Sequence, residues 1–443
     1  MKIYYPIIYE GKRPNENPLY LLSYLRSHSD IAFSTHTLTP QNMSELENSE
    51  DNYILLSVTS LSPFYKFHHL LMMLRKTFRH IKCKIIVGGA VFYILNHQDV
   101  LKHYPEITHI CVGKGEEVLK AIIEKNLPRG VYSAQNFDRV QKYLLIPEFA
   151  VKDVVMLTFR DSRCSWGKCL FCHHQTRCMY PNKNAADVAH EVMHYIDAFG
   201  TRYFYFFDNH MEPETLAEFL EILFHRGYAK FHPQFYVFGI RVDGNLKALN
   251  PILQKWPKAT IDGIAWGVEF YDQEILDRFK KGTSLAQIDT ALDFFPKYGT
   301  VNDVYILLGL PTITQKNIAH HERFIEKQYN NIFRLMTSFF LFNDGLKISE
   351  HSDEFKINKL DYQFTLQDFF MYAVDIPPIR TVYTDFTSWD EDLQKYASRG
   401  ETFLKYLSLY QKFNKIGTCP RLSFLDEKTH TILKKIRPDL YFG

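Results

Sequence analysis

Three cysteines fall within nine residues, Cys164-Ser165-Trp166-Gly167-Lys168-Cys169-Leu170-Phe171-Cys172. Thiolates are soft ligands that select zinc or iron–sulfur clusters. Three of them on one short loop can hold three corners of a cuboidal 4Fe–4S cluster and leave the fourth iron open, because full protein ligation takes four. An open iron accepts a small molecule, which points to catalysis more than to electron storage. Zinc is the competing reading, since a structural zinc site takes four ligands and Cys178, His173 or His174 can supply the fourth. Cys-x-x-Cys pairs also serve redox sites, and buried cysteines often simply pack. On these residues alone the alternatives stay open.

The elements around the loop decide what it is attached to. Before it, the apolar run Val154 to Phe159 reads as a strand. After it, Ala185, Val188, Ala189, Val192, Met193 and Ile196 recur at helical spacing. A second strand, Tyr203 to Phe207, runs into Asp208-Asn209-His210, and a helix follows from Thr215 to Phe224. Further strands are expected at Phe235–Ile240, Ile261–Phe270, Val304–Leu308 and Leu335–Leu341, with helices between them. Repeated strand–helix units imply a parallel sheet with helices outside and ligands at the carboxyl ends of the strands.

From Val154 to Phe355 the chain resembles the radical S-adenosylmethionine (SAM) superfamily, especially the branch with an N-terminal cobalamin-binding-type domain. The cysteine loop, with aromatic Phe171 before the third cysteine, is the first mark. Asp208-Asn209-His210 resembles the second-strand ending that meets the SAM amino acid moiety, and Ile240-Arg241-Val242-Asp243 the third. Trp266-Gly267-Val268-Glu269-Phe270, with Lys280-Lys281-Gly282-Thr283 behind it, resembles the fourth strand and its helix. Leu308-Gly309-Leu310-Pro311-Thr312 resembles the glycine–proline ending of the fifth. Two departures are plain. Four residues separate the first two cysteines where the family usually has three, and Phe270 stands where a serine is common.

The N-terminal third alternates in the same way. Ile3–Tyr9, Ile54–Val58, Cys83–Val87 and Ile107–Val112 read as strands; Pro18–Leu25 and Phe64–Phe78 read as helices, and another starts near Val118. Glycines close the strands, where backbone must turn or approach a ligand. Ser57 to Ser60, Val87-Gly88-Gly89-Ala90 and Gly113-Lys114-Gly115-Glu116 resemble the cobalamin-binding-type domain, although the Asp-x-His-x-x-Gly motif that offers a histidine to cobalt is absent. A domain that kept its fold and lost its ligand is the alternative.

The expected architecture is α/β. A doubly wound, Rossmann-like cobalamin-binding-type domain takes residues 1–130 and a linker 131–150. A partial (β/α)6 TIM-like barrel takes 151–358, and a mostly helical extension 359–443. A length of 443 residues leaves ample room for such cores. A net charge of +2 gives no global basic field to recruit nucleic acid or an anionic membrane. Seven cysteines, three of them clustered, make no disulfide framework. The stretch Met1 to Pro6 is too short and interrupted for a signal peptide, and no run approaches the roughly 20 apolar residues of a span. A cytoplasmic protein is expected. Aromatic residues make up 15% of the chain, for which core filling is the simplest explanation.

The resemblance implies a radical SAM enzyme. Cys164, Cys169 and Cys172 would hold the 4Fe–4S cluster and Phe171 would pack near the adenine. Asp208 or Asn209 would bond the SAM ammonium or ribose, Glu269 would be a second polar contact, and Arg241 would pair with the carboxylate. Cobalamin would meet Ser57, Ser60, Gly88, Gly89, Gly113 and Gly115. It further implies an electron donor such as flavodoxin or ferredoxin, and a peptide or small-molecule substrate methylated at an unactivated centre. Rearrangement, cyclisation or oxidation without methyl transfer is the alternative within enzymes, and a non-catalytic Fe–S or zinc module the alternative outside them.

Overall fold

The structure, a computed structural model, describes residues 1–6, 17–58, 61–113, 115–133, 154–159, 164, 166–173, 183–206, 208, 210–242, 244–369, 376–417 and 427–441. The chain divides into two compact units: Met1–Val154 with Gln363–Val382, and Val155–Tyr362 with Tyr383–Gly443.

Short apolar runs become the strands of the first unit: β1 Lys2–Pro6, β2 Ser34–Leu38, β3 Tyr53–Ser57, β4 Lys84–Gly88, β5 Ile107–Val112 and β6 Gly130–Ser133. They form one parallel sheet in the order β2-β1-β3-β4-β5-β6. Every residue of β3 is buried, as expected of a central strand covered on both faces. The order reverses between β1 and β3, the place where doubly wound sheets open a crevice. Phe64, Phe67, Leu71 and Leu74 of the helix Leu61–Thr77 share a core with Ile54, Leu56, Ile85 and Val87. Strand β2, Ser-Thr-His-Thr-Leu, has no apolar run and was not expected; it lies at the sheet edge and buries only Leu38. Strand β6 carries the sheet to Ser133, past the expected end at residue 130.

Residues 363–382 belong to this first unit although they follow the barrel in sequence. Leu366, Ile376 and Ile379 are fully buried in its core. The Leu366 amide donates to the Ile379 carbonyl at 2.8 Å, and Arg380 pairs with Asp99 at 2.8 Å.

The second unit repeats strand and helix: β7 Val154–Leu157, β8 Tyr203–Phe206, β9 Gln234–Ile240, β10 Ile261–Glu269, β11 Val301–Leu308 and β12 Arg334–Phe339. These lie side by side in chain order, and the pairs from β8 to β12 are parallel, which is a partial barrel. The helices start where the sequence supplies caps. Asn184 with Asp187, Ser284 with Gln287 and Thr314 with Asn317 form capping boxes for Ala185–Phe199, Leu285–Phe294 and Gln315–Lys327. Phe206 and Phe235 meet Phe219 of the helix Pro213–His225 edge-on at 5.4 and 5.2 Å. Trp266, fully buried, donates to Asn302 at 2.8 Å, and Asn302 in turn donates to the carbonyls of Leu292 and Asn331. The outer edge of β12 is covered by Lys415–Gly417, whose backbone bonds Leu335 twice at 2.8 Å.

Beyond the barrel come β13 Ile357–Thr365, β14 Arg380–Asp390 and β15 Lys395–Ala397, then the helices Arg399–Leu404, Leu407–Lys412 and Glu427–Ile436. Among the described residues the extension thus carries strands before Arg399 and helices after it. Lys405 ties it down: its buried ammonium reaches Asp390 and Asp392 at 2.6 Å each and the Ile313 carbonyl at 3.0 Å. Among the described residues no helix is long and apolar enough to cross a membrane.

Two substitutions test this packing. Lys405→Met leaves Asp390 buried without its cation and should cost about 3–5 kcal/mol in denaturant unfolding. Gly89 has φ of 105°, and a Cβ there would lie 2.4 Å from the Val58 carbonyl oxygen. Gly89→Ala should therefore lower the stability of the first unit by about 1–3 kcal/mol or more.

Candidate active site

Successive residues of a strand face opposite sides of a sheet. In β10, Trp266 and Val268 point to the helices, so Gly267 and Glu269 point to the barrel interior. The pairing of β10 with β11 shifts register between Gly267 and Glu269, and Glu269 adopts φ of 65°. Bulges of this kind re-aim a side chain, and a left-handed non-glycine residue is a strained one, of a sort that gathers at functional sites. Glu269 accepts a hydrogen bond from the Lys281 ammonium at 3.2 Å. A Cβ on Gly267 would come within 2.8 Å of the Glu269 carboxylate and 3.3 Å of the Lys281 nitrogen, so the missing side chain makes room for the pair.

The cysteine loop is strapped to the same region. The Leu170 amide donates to the Phe279 carbonyl at 3.0 Å, and its carbonyl accepts from the Ile348 amide at 3.1 Å. Trp166 donates from its indole to the Lys280 carbonyl at 2.8 Å. Its ring lies where a Cβ on Gly282 would be, only 2.1 Å from that position. The Arg241 guanidinium sits over the indole at 5.0 Å and donates to the Lys281 carbonyl at 3.1 Å. The turn Lys280-Lys281-Gly282 therefore meets the cysteine loop, the end of β9 and the end of β10 together.

Electrostatics follow from this packing. Burial pushes the Cys169 thiol up, while the cations of Lys281 and Arg241 pull it down. Burial alone would lower the Lys281 ammonium, but Glu269 and Cys169 outweigh it and hold it above its ordinary value. Phe171 is buried between this cation, 5.8 Å from its ring, and Phe279 at 6.1 Å. Cys164, Cys169 and Cys172 are all free thiols, Cys169 buried and the other two half-buried. The donor set suits an iron–sulfur cluster: three thiols on one loop beside two cations, which offset the negative charge that thiolate ligands bring. Among the described residues no three His, Cys, Asp or Glu side chains, the three cysteines included, stand close enough together to hold a metal ion. His173, a candidate fourth zinc ligand, has its Nδ1 3.1 Å from the Asn343 amide and its ring edge-on to Tyr383. Cys178 and His174 lie outside the described residues.

The remaining expected positions are less uniform. Asp208 is buried, and its carboxylate accepts from the Thr158 hydroxyl at 2.9 Å and the Phe159 amide at 2.9 Å, tying β8 to the end of β7. Asn209 and Ser60 lie outside the described residues. In the first unit, Ser57 and Gly88 are register partners at the ends of β3 and β4, and Gly113 follows β5. Gly89 is accounted for by the Val58 backbone rather than by a ligand. Gly115 opens the helix Gly115–Lys125 against Leu21. Cys111 in β5 is a packed thiol, pushed up to about 12 by burial. Trp166 and Lys281 were given no role from sequence. Both stand in quoted motifs, but which turn would meet which loop was not readable.

Residues 162–325 match the model of the Radical SAM superfamily. In fold the chain is similar to the radical S-adenosylmethionine methyltransferase TsrM from Kitasatospora setae, solved with cobalamin and a 4Fe-4S cluster bound. That match has a TM-score of 0.57 at 12% identity and covers 82% of this chain and 81% of the other. It is also similar to the cobalamin-dependent S-adenosylmethionine radical enzyme OxsB, solved with aqua-cobalamin and S-adenosylmethionine, with a TM-score of 0.61 at 15% identity over 99% of this chain and 75% of that one. No curated protein matches in sequence. The radical SAM resemblance is borne out over the core, and the α/β fold is that of cobalamin-dependent radical SAM enzymes.

Seating Trp166 on Gly282 has a direct test. Gly282 has φ of 69°, so Gly282→Ala adds strain of about 1–2 kcal/mol and drives a methyl into the indole. The Trp166 emission should shift to the red, and Cys164 and Cys172 should react faster with a thiol reagent in the metal-free protein.

Proposed function

We propose that the chain is a cobalamin-dependent radical SAM methyltransferase. The observation that carries the reading is the convergence of Glu269, Lys281 and Arg241 on the Cys169 side of the loop. When bound, a 4Fe–4S cluster supplies the electron that cleaves SAM to methionine and a 5′-deoxyadenosyl radical, and cobalamin supplies a carrier for a methyl group.

This chain's own residues bind and orient. Cys164, Cys169 and Cys172 would hold the cluster through their three thiolates, with SAM bound beside it. Glu269 receives the SAM ammonium, and Arg241 offers its planar fork to the carboxylate. Asp208, whose carboxylate also accepts from Thr158 and Phe159, or Asn209 bonds the SAM ammonium or ribose. Phe171 closes the adenine side and keeps water from the reacting carbon. Ser57, Gly88 and Gly113 stand at the carboxyl ends of β3, β4 and β5, and with Ser60 they would meet a corrin and its nucleotide tail, which need close backbone approach. No Asp-x-His-x-x-Gly motif is present, so no histidine of this chain is expected on cobalt. The substrate is a peptide or small molecule, and the compartment a reducing cytoplasm that keeps the loop thiols free.

Anaerobic reconstitution should load about four irons per chain. Stoichiometric zinc that needs Cys178 would overturn the cluster assignment. The loaded protein with SAM and reductant should release 5′-deoxyadenosine, and S-adenosylhomocysteine beside it marks methyl transfer. 5′-Deoxyadenosine alone would favour rearrangement, cyclisation or oxidation. Glu269→Gln, which keeps an oxygen for Lys281 but removes the charge, should weaken SAM binding about tenfold or more, with iron content unchanged. In the cobalt(II) state, electron paramagnetic resonance should show no nitrogen splitting from a lower ligand; a split signal refutes the ligation claim.

A further inference from the structure

We infer that the outer face of the cysteine loop is the docking surface for an acidic one-electron carrier protein. The inference rests on the radical SAM reading, which requires an electron from outside the chain for each cleavage. The face belongs wholly to the second unit.

Its charge is the first observation. Lys168 is exposed, with its ammonium 4.7 Å from the Trp166 ring. Lys347 donates to the Gly167 carbonyl at 2.6 Å, which pins a second ammonium to the same segment. Lys280, also exposed, gives its carbonyl to the Trp166 indole. Among the described residues none of these three lysines has a carboxylate partner. A local cluster of cations stands out on a chain whose net charge is only +2.

Position is the second observation. Lys168 and Lys347 flank Trp166 and Gly167, Lys280 meets Trp166 through its backbone, and Cys164 and Cys172 are themselves half-buried. A carrier seated on this segment therefore meets the ligand loop directly. Trp166, half-buried between Lys168 and Arg241, puts a polarisable ring in the contact. An aromatic anchor within a cationic rim is the composition of a recognition patch, and the rim charge steers encounter with a partner of opposite sign. In the transfer the carrier loses one electron and the loop's metal group gains one; no atom or proton need move with it.

The test compares the reconstituted full chain with its Lys168→Glu/Lys347→Glu double variant, using reduced flavodoxin as carrier and dithionite as a small-molecule reductant. Flavodoxin affinity, read by calorimetry, should fall about tenfold in the variant, and the strong salt dependence of the wild-type interaction should largely vanish. The rate of 5′-deoxyadenosine formation at subsaturating flavodoxin should fall in parallel. Iron content and the dithionite-driven rate should hold, which separates lost docking from lost folding. The milder Lys168→Gln/Lys347→Gln variant should fall between the two. Unchanged flavodoxin affinity in both variants overturns the docking surface alone, whereas no 5′-deoxyadenosine from wild type with dithionite overturns the radical SAM reading beneath it.

Discussion

A lysine ammonium buried beside a carboxylate and a thiol is the constraint on which the core's local geometry depends. An unpaired charge in the interior costs several kcal/mol after relaxation. Lys281 is therefore stable where it is only because Glu269 stands 3.2 Å away. The neighbouring chain bears the marks of that requirement. β10 shifts register before Glu269, Glu269 takes a left-handed backbone, and Gly267 gives up any side chain. Each is unfavourable alone, and together they put one carboxylate and one cation at the mouth of the barrel next to the cysteines. On the proposed reading the site holds anionic sulfur ligands and an amino acid zwitterion, which need both signs of charge within a few ångströms, and this pair is a compact way to provide them.

How far this was readable in the sequence depends on the range of the interaction. Strands such as Ile107–Val112 and helices such as Ala185–Phe199 follow from local runs and periods, and their bounds in the structure differ from the sequence reading by few residues. Strand β2 escaped because an edge strand needs only one buried face, and Ser34-Thr-His-Thr-Leu buries a single side chain. Strand β13 escaped for a related reason: Asn358 to Gln363 are exposed, so no apolar alternation marks them. The return of Gln363–Val382 to the first unit has no local signature, because Leu366, Ile376 and Ile379 only say that something apolar must be covered, not by what.

The site divides along the same line. The three cysteines, Arg241 and Glu269 were legible because their chemistry is carried by residue type and by position at a strand end. The parts played by Trp166 and Lys281 were not, since both depend on a turn after β10 meeting a loop after β7, more than a hundred residues apart in sequence. The spacing of the loop itself takes on meaning from this contact. Trp166 lies among the four residues between Cys164 and Cys169, and Gly282 is what allows its ring to be seated.

The aromatic content, which composition assigns to core filling, separates by face. Phe204, Phe206 and Phe235 pack toward the helices, while Tyr205, Tyr236, Phe238 and Tyr305 stand half-buried on the opposite face. Burial pushes the phenols of Tyr236 and Tyr305 well above their ordinary range, so both stay neutral and the interior wall carries no added charge. The Tyr236 hydroxyl is held by Asp303 at 2.5 Å, and Asp303 is level with Ala265, four residues below Glu269. Across the bulge Glu269 pairs with Ile306, three residues above Asp303, so at about 3.3 Å per residue the two levels lie roughly 10 Å apart along the sheet. A phenol O–H gives up hydrogen more readily than most C–H bonds. Tethering it toward the amino-terminal end keeps it from the carboxyl-terminal end, where Glu269, Arg241 and the cysteine loop meet and where the proposed reading seats the ligands.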